Sequence, residues 1–118
     1  MEKRLIRFSV EVIHLAEKLP MTRVGNHLAD QIVRSGTSSA LNYGEAQSAE
    51  SKRDFIHKLG IVLKELRETQ IGLKIVDQSG MIPTKSLVVT LIKECDELIA
   101  IFYRSVQTAR STKNEKKG

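Results

Sequence analysis

Four short patterns carry side chains of metal-binding or acid–base type at helical spacing: His27-x-x-Asp30, Asp54-x-x-His57, Glu65-x-x-Glu68 and Glu94-x-x-Glu97. On a helix, residues three apart are neighbours on one face. A helical bundle can build a two-metal carboxylate centre from such pairs, given a carboxylate on two helices and Glu-x-x-His on each of the others. None of the four patterns is Glu-x-x-His. Counted from a turn near residue 51, His27 and His57 also differ in height by roughly 27 Å, too far to share an ion. Cys95 falls in an apolar stripe and reads as a small buried hydrophobe rather than a nucleophile. The three histidines are scattered, and neither a P-loop nor a dinucleotide fingerprint occurs. The expectation is a protein that is not an enzyme and takes no metal, cofactor or small-molecule substrate.

The elements that position these residues follow from apolar spacing. Leu5, Phe8, Val12, Leu15 and Leu19 recur at 3,4 intervals and predict a helix over 2–18, stopped by Pro20. Thr22 is a suitable N-cap for a second helix over 23–49. Within it, Leu28, Ile32, Ser35, Ser39, Asn42 and Ala46 keep helical spacing straight through a Gly/Ser-rich stretch that would otherwise read as a loop. Ser51 and Asp54 resemble a capping box, opening a third helix over 52–79 with Phe55, Leu59, Val62, Leu66, Thr69, Leu73 and Val76 in unbroken 4,3 repeat. Gly80 is a natural stop. A fourth helix over 83–107 takes Pro83 in its first turn and carries Leu87, Leu91, Leu98 and Ile101 on one seam. Four amphipathic helices with short connections predict an all-α fold, an antiparallel up-and-down four-helix bundle with left-handed coiled-coil-like packing.

With 118 residues the chain makes one domain, expected over 1–109, followed by a basic, disordered tail over 110–118. The net charge is +5, and much of it lies in that tail, where Arg110, Lys113, Lys116 and Lys117 face only Glu115. The longest apolar run, Leu98–Tyr103, is far short of a membrane span. No apolar stretch of signal-peptide length follows the first residues, and the single cysteine fits a reducing compartment, so a cytoplasmic protein without membrane contact is expected.

In the second helix, Ser35, Gly36, Ser39 and Ala40 are small enough to let a neighbouring helix come close. Such an approach would offset the roughly 1 kcal/mol that Gly36 and Gly44 each cost in a helix interior. If helices 2 and 3 form a hairpin turning near residue 51, Arg34 stands level with Glu68, Thr37 with Glu65, and Glu45 with His57. These positions predict a partly buried polar layer made by Arg34, Thr37, Asn42, Glu45, Glu65 and Glu68. Helices 1 and 4 are apolar over more than one stripe, a surplus that predicts a further interface.

The stretch Arg34-Ser35-Gly36-Thr37-Ser38-Ser39-Ala40-Leu41-Asn42-Tyr43-Gly44-Glu45-Ala46, then Ala49-Glu50-Ser51-Lys52-Arg53-Asp54-Phe55 and Lys64-Glu65-Leu66-Arg67-Glu68-Thr69, resembles a family of bacterial four-helix-bundle proteins. Some of its members are encoded in intervening sequences of large-subunit (23S) ribosomal RNA genes, and some are called ribosomal-protein-like. The resemblance implies an up-and-down bundle that assembles as a homopentameric ring, and it supplies no catalytic residues. Many relatives have Tyr-Trp-Leu where this chain has Gln70-Ile71-Gly72-Leu73. Two functions follow as expectations. The first is a non-catalytic oligomeric scaffold or adaptor. The second is an RNA- or DNA-binding accessory protein, with Arg110, Lys113, Lys116 and Lys117 as phosphate contacts. Few aromatic residues are available for base stacking, so such binding would be blind to sequence.

Overall fold

The computed structural model describes the backbone of residues 1–117 and the side chains of residues 1–111. Four helices follow one another: α1 (Glu2–Glu17), α2 (Arg23–Gln47), α3 (Lys52–Ser79) and α4 (Lys85–Lys117). No strand occurs among the described residues. Each helix packs on the next in the chain, and α1 also packs on α4, while the backbones of the diagonal pairs stay apart. The result is a four-cornered bundle of 54 × 22 × 21 Å.

Local chemistry sets the helix ends. The Thr22 hydroxyl accepts from the Gly25 N–H at 3.1 Å, and the Ser51 hydroxyl accepts from the Asp54 N–H at 3.0 Å. Each cap satisfies one of the amide groups that the first helical turn leaves without a partner. Gly80 ends α3 in the left-handed region, at φ 71°, which a side chain would resist. The Gly/Ser-rich stretch is helix throughout, as its spacing predicts.

Two expectations about α4 need correction. It starts at Lys85, so Pro83 lies in the connection rather than in the first turn. It also runs on past Gln107 to Lys117, where a disordered tail was expected. Apolar periodicity weakens after Val106, but no proline or glycine interrupts residues 107–117, and the residues there tolerate helix. The side chains of Lys113, Lys116 and Lys117 lie outside the described residues.

The core holds the positions the spacing selects: Leu5, Phe8, Val12 and Leu15 of α1, Leu59, Val62, Leu66, Leu73 and Val76 of α3, and Val88, Leu91, Cys95, Leu98 and Phe102 of α4. Because α1 is short, the bundle has only three helices beyond its first residue. There Tyr43 of α2 reaches across to Phe102 of α4, edge to face at 5.7 Å. Along the α1–α4 seam the Arg4 guanidinium clamps the Glu94 carboxylate with two hydrogen bonds, at 2.8 and 2.7 Å. That clamp holds the Glu94 carboxyl below its ordinary range.

Glycines mark the tightest approaches. A Cβ at Gly25 would stand 2.0 Å from the carbonyl oxygen of Pro20, and one at Gly72 would stand 2.7 Å from Cγ2 of buried Ile32. Gly44, by contrast, has no atom within 4 Å of its would-be Cβ, so the close approach expected there is absent. Gly25→Ala must push backbone against backbone and is expected to cost about 2–3 kcal/mol. Gly44→Ala meets nothing and is expected to gain up to about 1 kcal/mol by improved helix propensity. Paired urea unfolding curves should therefore shift in opposite directions.

Candidate functional site

The buried polar residues of this bundle, Ser9, Ser35, Ser39 and Thr69, carry hydroxyls and gather on and against the small-residue face of α2; apart from them, the carboxylate oxygen Oδ1 of Asp77 is buried near the end of α3. Ser35, Gly36 and Ser39 are all buried there. Gly36 faces α1, where its would-be Cβ lies 3.2 Å from Cγ1 of Val12. Ser9 of α1 donates to the Gly36 carbonyl at 3.1 Å and sits 2.9 Å from the Leu5 carbonyl, while Ser39 donates to the Gly36 carbonyl at 2.7 Å. On the other side, Thr69 of α3 donates to the Ser35 hydroxyl at 2.8 Å, and Ser35 donates to the Gln31 carbonyl at 3.0 Å. Thr69 also lies 2.8 Å from the Glu65 carbonyl; with one proton, it can serve only one acceptor at a time. Each hydroxyl thus finds a partner in a setting where an unpaired one would cost about 1–3 kcal/mol.

Of the charged residues expected in the polar layer, Arg34, Glu45 and Glu68 lie at the surface, while Glu65 is largely buried beside the core. Arg34 does meet Glu68 at 2.7 Å and Glu65 at 3.4 Å, but its side chain is 54% exposed. Glu45 pairs with Lys58 at 3.3 Å rather than standing against His57. Thr37 and Asn42 do not cross to α3. Thr37 donates back to the Val33 carbonyl at 2.6 Å, and Asn42 donates to the Ser38 carbonyl at 2.9 Å. Short polar side chains within a helix have their own preceding turn as the nearest acceptor. Of the expected layer, then, Arg34, Glu65 and Glu68 come together, with Glu65 largely buried and Arg34 and Glu68 more exposed, and Ala40 is half-buried on the α2 face. Ser9 and Thr69 were not singled out from sequence as members of a polar layer. A signal did exist for Thr69, a hydroxyl residue occupying an apolar repeat position opposite Ser35.

Residues with chemical potential are dispersed or occupied. Among the described residues no group of three or more His, Cys, Asp or Glu side chains is close enough to hold a metal ion. The Cys95 thiol is buried, donates to the Leu66 carbonyl at 3.2 Å, and is pushed up to about 12 by that burial. It is therefore protonated at neutral pH, the less nucleophilic form of a thiol.

Outside the core, α2 and α3 enclose an open groove of about 910 Å³. Leu28, Leu63, Ile71 and Ile75 give it an apolar lining, Gly60 leaves open space beside it, Gly72 packs on Ile32 at its floor, and Lys64 and Arg67 border it. A second groove, of about 590 Å³, opens at Met1, beyond the first turn of α1, and is bordered by Lys52 and Arg104. No helix among the described residues is long and apolar enough to cross a membrane.

A family model described as 23S rRNA-intervening sequence protein matches residues 2–104. No curated protein matches the chain. Among solved structures, a protein of unknown function from the S23 ribosomal protein family of Bacteroides thetaiotaomicron is similar, with 30% identity and a TM-score of 0.81. The alignment covers 89% of this chain and 96% of that one, so the shared part is the whole bundle.

The hydroxyl pair between α2 and α3 gives a direct test. Thr69→Val keeps the side-chain shape and removes the donor, so a loss of about 1 kcal/mol is expected. Adding Ser35→Ala should cost less than the sum of the two single changes, because the partner group is already gone. Four chemical-denaturation curves measure the coupling.

Proposed function

Because the chain belongs to the 23S rRNA-intervening sequence protein family, we propose that it is a non-catalytic scaffold or adaptor working as an assembly of its own copies. The reading is carried by one observation: large apolar side chains remain outside a bundle whose core is already closed. Ile6, Val10 and Ile13 on α1 are 50%, 42% and 37% exposed, and Ile71 and Ile75 on α3 are exposed as well. Clustered apolar exposure of this kind marks an interaction surface. A homopentameric ring, implied by the family resemblance, is the proposed assembly, and the cytoplasm its proposed compartment. The absence of enzyme activity is part of the same proposal, supported by the inert Cys95 and the dispersed histidines.

A second reading, RNA or DNA binding through phosphate charge, draws support from the distribution of basic residues. Lys52 and Arg53 open α3, and Arg104 and Arg110 lie near the end of α4, at the same end of the bundle. The aromatic side chains give little help for stacking: Phe8 and Phe102 are buried, and Tyr103 lies beneath the Arg67 guanidinium at 6.0 Å.

Light scattering should return a mass several times the 13.3 kDa of one chain, five times for the proposed ring. A monomer at every concentration would remove the scaffold reading. For the second reading, RNA and DNA binding would be measured at two salt concentrations, with the full chain and with a version ending at Ala109. Binding that weakens steeply with salt and is lost with residues 110–118 is expected. No binding at low salt would remove that reading and leave the scaffold.

A further inference from the structure

We propose that the outer stripe of α1 docks into the α2–α3 groove of a second copy of this chain, each copy giving one surface and receiving the other. This rests on the self-association proposed above and names the surfaces that carry it. The stripe is convex. Ile6, Val10 and Ile13 follow at i, i+4 and i+7, forming one exposed ridge of branched side chains. The groove is concave and lined by Leu28, Leu63, Ile71 and Ile75, with bare backbone at Gly60 and Gly72. A ridge of side chains entering the furrow between two helices is how helices ordinarily pack. Both halves of the contact are on every copy, so no other partner is required to cover either.

Shape and charge select this pairing over its rivals. Glu17 lies one turn beyond the stripe, four residues after Ile13, while Glu2 stands with Lys3 one turn before Ile6. Lys64 and Arg67 border the groove, and neither is in an ion pair of its own chain among the described residues, whereas Glu68 at the same border is paired with Arg34. The Glu17 end of the ridge thus meets a groove whose border charges outside ion pairs are basic, which brings opposite signs together. Two stripes packed together would instead set one convex ridge on another and cover neither groove. Two grooves placed mouth to mouth would leave a void, which forfeits contact energy.

The positions of the two surfaces also bear on closure. Around α1, Ile13 lies next to Ser9 and Ala16, and both of those meet α2. The stripe therefore leans toward the α1–α2 side of the bundle, which adjoins the α2–α3 side rather than opposing it. Contacts between unlike surfaces repeat head to tail, and surfaces on adjoining sides turn each successive copy, the condition for a ring instead of a straight fibre.

Two single-cysteine additions test the contact, Val10→Cys in the stripe and Ile71→Cys in the groove, joined by a short bismaleimide linker. Native Cys95 is buried and leaves the introduced thiols as the reactive ones. An equal mixture should give several-fold more linked dimer than either variant alone. Val10→Glu should reduce the mass in solution to a single chain with helical circular dichroism unchanged. If the unsubstituted protein assembles but the mixture links no better than each variant alone, these surfaces are wrong and self-association stands. Strong linking by Val10→Cys alone would also overturn the contact, in favour of stripe against stripe. An unsubstituted protein that stays monomeric overturns both.

Discussion

The bundle depends on how closely α2 can approach α1 on one side and α3 on the other. That approach is possible because α2 is narrow at Ser35, Gly36 and Ser39, and α3 is narrow at Gly72. Gly36 admits Val12, Gly72 admits Ile32, and Ser35 meets Thr69 hydroxyl to hydroxyl. Close approach in a core normally risks stranding polar atoms. Here each buried serine is also within hydrogen-bond reach of a main-chain carbonyl of its own helix, so the narrow seam leaves these hydroxyls satisfied. Glycine costs helix propensity at these positions, and the packing it admits offsets that cost.

Periodicity made most of this architecture legible. The 4,3 repeat of α3 is buried from Leu59 to Val76, and the serines that continue the repeat of α2 are buried with it. Counting from the hairpin turn also put Arg34 at the right height for Glu68. Height along a helix does not fix the angle around it, and this is where the reading from sequence fell short. Arg34 and Glu68 share a level but stand at the rim, only Glu65 among their partners is largely buried, and Thr37 and Asn42 turn back on α2 itself. The interior polar groups are instead short hydroxyls at core-facing angles, visible in the sequence only as exceptions within an apolar repeat. The end of α4 was misplaced for a related reason. Loss of apolar spacing shows that a helix has left the core, and only a breaker shows that it has ended.

The titratable groups held within or against this core are engaged in its structure at Cys95 and Glu94. The one thiol donates to a main-chain carbonyl, and Glu94 is held by Arg4, an arrangement that favours structure over proton transfer at neutral pH. The outside of the molecule is divided. Apolar surface lies along the sides, on α1 and in the α2–α3 groove, whereas basic side chains collect at the end that carries Lys52, Arg53, Arg104 and Arg110.

This division matters for the two proposed functions. Contacts along the sides would use up the apolar surface and leave the ends free. If the bundles stand parallel to the axis of a ring, its symmetry sends every basic end to the same rim. The charge of one copy, +5, is modest and acts over about 8 Å at physiological salt. Several copies on one rim would bring those short-range fields into overlap, so an extended polyanion could touch more than one copy at once. Multivalent contact of that sort gains affinity from geometry without stronger individual contacts. Assembly through the sides and phosphate binding at one end are thus compatible, and the second would draw its strength from the first.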